Sequence, residues 1–73
     1  MRKKIKKIKI QVNGKISHIK DNSNLQELVN KLKIPIKKVA IELNQEIVDK
    51  NILKKYNLKE KDKIEIVHFI GGG

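Results

Sequence analysis

The stretch KDKIEIVHFIGGG, residues 61–73, decides how the rest of the chain is read. Ile64, Ile66 and His68 occupy one parity within it, and Glu65, Val67 and Phe69 the other. That alternation is the period of a β-strand. The strand passes without a linker into Gly71, Gly72 and Gly73, which lead into no further element, so turn chemistry does not account for them. Lacking Cβ, they suit a segment that threads a narrow groove and lets a partner's backbone come close. Three extended residues reach about 10 Å. The α-carboxyl expected on Gly73 is ionised at neutral pH and is a poor electrophile. Adenylation by ATP in a partner enzyme is the usual way to activate such a group. The acyl adenylate then accepts sulfur, a lysine amine or a cysteine thiol. The competing explanations are a frayed end or an expression remnant, and no vector-like residue accompanies the glycines.

Working back from this strand, Lys59 to Asp62 reads as a turn and Asn51 as the cap of one helical turn through Leu53 and Tyr56. Ile47-Val48 is a short strand after a turn at Asn44 to Glu46. Val39, Ile41 and Leu43 alternate with Ala40 and Glu42, giving another strand. Before it the period changes. Leu25, Leu28, Val29 and Leu32 fall on one helical face. Asn24 and Glu27 have the spacing of a capping box, and Pro35 closes the helix. At the start, Ile8, Ile10 and Val12 alternate with lysines, Asn13-Gly14 marks a type I′ hairpin turn, and Ile16 to Lys20 is the return strand. The expected order is β-β-α-β-β-turn-β, an α+β domain in which one helix covers one face of one sheet of four to five strands. Residues 1–70 form the domain, with a lysine-rich, loosely ordered start over 1–7, and residues 71–73 a flexible tail.

The composition narrows the function. Seventy-three residues with no Cys exclude a disulfide scaffold, a Cys-based zinc site and a cysteine nucleophile. The missing disulfides also point to a cytoplasmic location. No stretch approaches a membrane span, and Lys6, Lys7 and Lys9 break any signal-peptide core. His18 and His68, the two histidines, have no triad or metal spacing, so they are taken as ordinary strand residues and the chain as no enzyme, with no bound cofactor or metal. The net charge of +10 invites nucleic acid. Yet almost all the cations are Lys, Arg2 being the one arginine, and Phe69 and Tyr56 are the only aromatics. Arginine forks and a stacking platform are therefore missing, and the charge is taken as a solvated, compositional surface.

Four segments carry a resemblance: IQVNG (10–14), NLQELV (24–29), VAIELNQEIV (39–48) and the closing KDKIEIVHFIGGG. Together they resemble the β-grasp, ubiquitin-like sulfur carriers, and within them the ThiS family of thiamine biosynthesis, without a gap from about Ile8 to Gly73. The helix start is similar to the family's T-V-x-E-L-L, with Asn24 in the Thr place. Residues 39–48 are similar to V-A-V-x-x-N-x-x-I/V and the ending to G-D-x-I-E-I-x-x-x-V-G-G. Lys61 departs from the family's Gly, Met1 to Lys7 is an extension, and Gly71 adds a third glycine, so the family's Gly-Gly is assigned to Gly72 and Gly73.

The resemblance implies a β-grasp fold and a carrier cycle. An E1-like, ThiF-like enzyme uses ATP to adenylate Gly73, and sulfur arrives from a persulfide enzyme. The resulting thiocarboxylate serves a ThiG-like thiazole synthase. Molybdopterin-type carriers share the chemistry but commonly end in a Pro-Pro run, and His68-Phe69 favours the thiamine branch. A carrier for molybdopterin, cysteine or tRNA thiolation remains open, as does a basic RNA-binding β-grasp module. Gly71 and Gly72 are expected to thread the partner's site. Val67 and Phe69, outward in parity, are expected to dock it, since aromatics are enriched at interface hot spots; the plain alternative is singly exposed apolar residues.

Overall fold

A computed structural model describes residues 6–69; residues 1–5 and 70–73, which include the glycine tail, lie outside the described residues. Strand β1 (Lys7–Val12) turns back into β2 (Lys15–Lys20). Asn13 and Gly14 have φ of 50° and 82°, as a type I′ turn requires. A Cβ on Gly14 would meet nothing, so glycine is favoured there by conformation and not by space. Lys7 already pairs with Lys20, so the sheet takes in the last residue of the expected loose start.

Helix α1 (Leu25–Leu32) starts with the expected capping box. The Glu27 amide donates to Asn24 Oδ1 at 3.0 Å, and the Asn24 amide donates to Glu27 Oε1 at 2.9 Å. The helix stops before Pro35 acts. Lys33 is left-handed at φ 56°, its amide donates to Asn30 O, and the Ile34 amide donates to Val29 O. These are the two bonds of a Schellman closure. Leu32, expected on the core face, is 42% exposed at this last turn.

A short 3₁₀ turn, Ile36–Lys38, leads into β3 (Val39–Leu43), and β4 (Glu46–Ile47) follows. Asn44 and Gln45 both have positive φ, so the turn has two residues and sets Leu43 opposite Glu46. That register shifts the fourth strand one residue from the expected Ile47-Val48. A 3₁₀ segment, Lys50–Lys55, comes next and is capped by Asp49, whose Oδ1 accepts from the Asn51 amide. Asn51, the expected cap, sits inside the helical turn because the acceptor must lie two residues before the amide it serves. Strand β5 (Lys63–His68) ends the described structure.

The sheet order is β2-β1-β5-β3-β4, with β1 and β5 parallel and the other pairs antiparallel. Among the described residues the one α-helix covers one face of the sheet. Ile10, Leu25, Leu28, Val39, Ile41 and Ile64 are all but sealed from solvent. Burying each stabilises the domain by about 1.5–3 kcal/mol. This is the expected mixed sheet on one helix. No described helix is long and apolar enough to cross a membrane.

Candidate functional site: the end of the last strand

Strand β5 is held on both sides. Towards β3 it pairs from Leu43–Ile64 to Val39–His68, and the Phe69 amide donates onward to Lys38 O at 2.9 Å. Towards β1 the backbone pairing stops at Val12–Ile64. Asn13 then extends it with its side chain. Its Oδ1 accepts from the Ile66 amide at 2.6 Å, and its Nδ2 donates to Ile66 O at 3.2 Å. One residue thus supplies the positive φ of the hairpin turn and a side-chain amide that mimics a strand.

The entry to β5 is braced as firmly. Asn44 Oδ1 accepts from the Lys63 amide, and Asn44 Nδ2 donates to Asp62 Oδ1. Asp62 Oδ2 accepts from the Lys59 amide. Lys61, at φ 74°, donates its amide to Lys9 O. The strand that precedes the glycines is therefore a rigid central element.

The open face of the sheet follows from the register. Val67 lies opposite Ala40, Glu65 opposite Glu42, and Ile47 beside Glu42. Val67 is 56% exposed, Phe69 54% and Ile47 76%. Val67 and Phe69 are thus outward, as their parity indicates. Ala40 and Ile47 join them in an apolar patch interrupted by the Glu42–Glu65 pair. The sequence gives no sign of Ile47's part, because pairing between distant strands has no local signature. The other half of the face carries Lys7, Lys9, Lys20 and Lys63, with His18 and Ile16.

Beyond β5, Lys50 approaches the Phe69 ring, its Nζ 5.2 Å from the centroid. The same ammonium donates to Ile36 O and Val39 O. Nothing in the sequence singles out this lysine among so many. His18 and His68 lie at positions of opposite strand parity and do not meet. No cluster of metal-ligating side chains occurs among the described residues. Gly71, Gly72 and Gly73 lie outside the described residues, so their expected roles rest on their place in the sequence after this strand.

A helix-covered mixed sheet with a centrally held last strand running towards a glycine tail defines a ubiquitin-like carrier of the β-grasp class. Residues 5–73 match the ThiS family. The sulfur carrier protein ThiS of Bacillus subtilis (strain 168) is 40% identical over 65 residues, covering 88% of this chain and 98% of that one. A crystal structure of the thiamine biosynthesis protein ThiS from Geobacter metallireducens superposes with a TM-score of 0.80 at 32% identity, over 90% of this chain and 100% of that one. A thiazole synthase of Paramagnetospirillum magneticum (strain ATCC 700264 / AMB-1) is 36% identical over 66 residues, which are 90% of this chain and 20% of that protein. The chain belongs to the ThiS family.

Proposed function

We propose that this protein carries sulfur as a thiocarboxylate on Gly73, with Gly71 and Gly72 as the thread that enters a partner's site. Membership of the ThiS family makes it a sulfur carrier of thiamine biosynthesis. The observation that carries the chemical reading is the fixed β5 leading into three glycines, with no nucleophile or metal cluster assembled among the described residues. The reacting group is then the chain end, and partners supply the catalysis.

The cycle uses ATP in a ThiF-like adenylating enzyme. A Gly73 carboxylate oxygen attacks the α-phosphorus, the bond to the β-phosphate oxygen breaks, and pyrophosphate leaves. A persulfide sulfur from the donor enzyme then attacks the acyl carbon and AMP departs, leaving an acyl disulfide. A thiol attacks the donor-side sulfur and breaks the S–S bond. The chain is released as the thiocarboxylate, and the thiol becomes a disulfide with the donor. A ThiG-like thiazole synthase consumes the sulfur. Its partnership is supported by a thiazole synthase chain that contains a segment 36% identical to this one. Two functions in one chain commonly act in sequence. The domain binds no cofactor of its own and works in the cytoplasm, where adenylating enzymes find ATP.

Intact-mass spectrometry tests the carrier chemistry. Incubation with ATP, the adenylating enzyme and a persulfide donor should exchange one terminal oxygen for sulfur. Removing Gly73, or adding a residue after it, should abolish the exchange and leave the thermal midpoint unchanged; persistent exchange in either variant overturns the assignment. Lysine-linked conjugates as the sole product would indicate a protein modifier instead.

Val67 and Phe69 serve as docking contacts for the adenylating enzyme, together with Ala40 and Ile47 on the same exposed patch. Truncating a hot-spot aromatic costs about 2 kcal/mol of binding. Phe69→Ala should therefore weaken association by about thirtyfold in calorimetric titration; equal affinity refutes the docking role.

A further inference from the structure

We propose that Asn13 is a site of spontaneous deamidation, held unreactive by its grip on β5 and released when the seam between β1 and β5 opens. Of the seven asparagines, only Asn13 precedes a glycine. The reaction needs the amide nitrogen of the next residue to reach Cγ, and a glycine there puts no Cβ in the way. The surroundings leave room as well: a Cβ on Gly14 would meet no atom within 4 Å, and both residues are exposed to water. Burial therefore does not protect this amide; its bonds do. Asn13 Oδ1 accepts from the Ile66 amide at 2.6 Å, and Nδ2 donates to Ile66 O at 3.2 Å. The Asn13 amide in turn donates to Ile64 O at 2.9 Å. Side chain and backbone are both committed to β5.

The chemistry cannot proceed in the native turn. Hydroxide takes the Gly14 amide proton, the nitrogen bonds to Asn13 Cγ, and the Cγ–Nδ2 bond breaks. Nδ2 leaves as ammonia with a proton from water, which restores the hydroxide. The succinimide ring so formed includes the Cα–C bond of Asn13 and fixes ψ far from the value a type I′ turn uses. The turn, with φ of 50° and 82°, must open before the ring can close. Water then opens the ring. Breaking its Cγ–N bond leaves aspartate in the ordinary chain. Breaking the bond from nitrogen to the backbone carbonyl carbon leaves isoaspartate, with one more carbon in the main chain. Neither product restores the seam. A carboxylate only accepts, so Ile66 O loses its donor and faces an oxygen instead. Isoaspartate lengthens a two-residue turn that sets Val12 opposite Lys15. One opening caught by the reaction becomes a permanent weakening of the hold between β1 and β5.

The test follows deamidation by intact mass and peptide mapping in mildly alkaline buffer. The folded protein is compared with a free peptide of residues 8–18. Conversion at Asn13 should run about a hundredfold slower in the protein, because only the opened fraction reacts. Ile64→Val loosens the core under β5 without changing any group that bonds Asn13, and should speed conversion about fivefold. Urea near the unfolding midpoint should bring the wild-type rate towards that of the peptide, and gives the same reading if Ile64→Val does not fold. Asn13→Asp, which installs the aspartate product, should lower the urea midpoint and speed amide exchange at Ile66. Equal rates in protein and peptide overturn the proposal. So does protection that neither Ile64→Val nor urea relieves, or conversion confined to other asparagines. An Asn13→Asp protein as stable as the wild type, and exchanging as slowly at Ile66, overturns it too.

Discussion

Asparagine does much of the conformational work in this domain. Asn13, Asn22 and Asn44 all take positive φ. The short amide side chain tolerates the left-handed region and bonds nearby backbone. Asn13 and Asn44 go further and join β5 to its neighbours through their amides. Lys61 has no such compensation. It holds φ 74°, and its side chain is exposed. The left-handed conformation costs an L-residue about 1–2 kcal/mol, offset in part by the unfolded-state freedom that glycine would add. Lys61→Gly should therefore stabilise the domain by about 1 kcal/mol. Urea unfolding would show a higher midpoint at unchanged slope; a lower midpoint would mean the lysine stem contributes packing that outweighs the strain.

At the scale of elements, what could be read from the sequence was what is encoded locally. The helix declared itself because Leu25, Leu28 and Val29 share a face and Asn24 and Glu27 cap it within four residues. The first hairpin did so through Asn13-Gly14, whose required φ values few other dipeptides adopt. The elements that differed are those set by contacts further away or by weaker chemistry. The 3₁₀ turn at Ile36–Lys38 has no periodicity to detect, and its Ile36 and Lys38 carbonyls are partnered from other segments, by the Lys50 ammonium and the Phe69 amide. The fourth strand moved by one residue because Asn44-Gln45, a less obvious pair than Asn-Gly, forms a two-residue turn all the same. Pro35 marks the end of α1 in the sequence, yet Lys33 closes it first. A non-glycine residue in that role is uncommon. The same division runs through the candidate site. The glycine tail and the outward parity of Val67 and Phe69 are local patterns, whereas Ile47 and Ala40 reach the site only through the pairing of β3 with β4 and β5, and Lys50 only through its bonds to the Ile36 and Val39 carbonyls.

For the molecule as a whole, charge is unevenly spread over the open face. Its β1–β2 half carries Lys7, Lys9 and Lys20, and Lys63 lies beside them, while Glu42 and Glu65 lie in the half that bears the apolar patch. Lys7 faces Lys20 and Glu42 faces Glu65 across their strand pairs. Like charges placed directly opposite each other destabilise a sheet, so neither pair is there for stability. With a net charge of +10, the molecule should be drawn towards an acidic partner from beyond contact distance. The association rate with the adenylating enzyme should fall several-fold between about 50 and about 500 mM salt, while dissociation changes little. Stopped-flow mixing would measure both, and a salt-independent association rate would remove steering from the account.

The sheet order β2-β1-β5-β3-β4 places the last strand in the middle. During synthesis the two hairpins and the helix are made before the strand that joins them. Until β5 arrives, β1 and β3 each lack an inner neighbour, and the core lacks Ile64. A chain that stops before β5 leaves the two halves of the sheet unjoined. Completion of the fold and possession of the strand that leads into the glycines are the same event, so every folded copy has been translated at least through Lys63–His68.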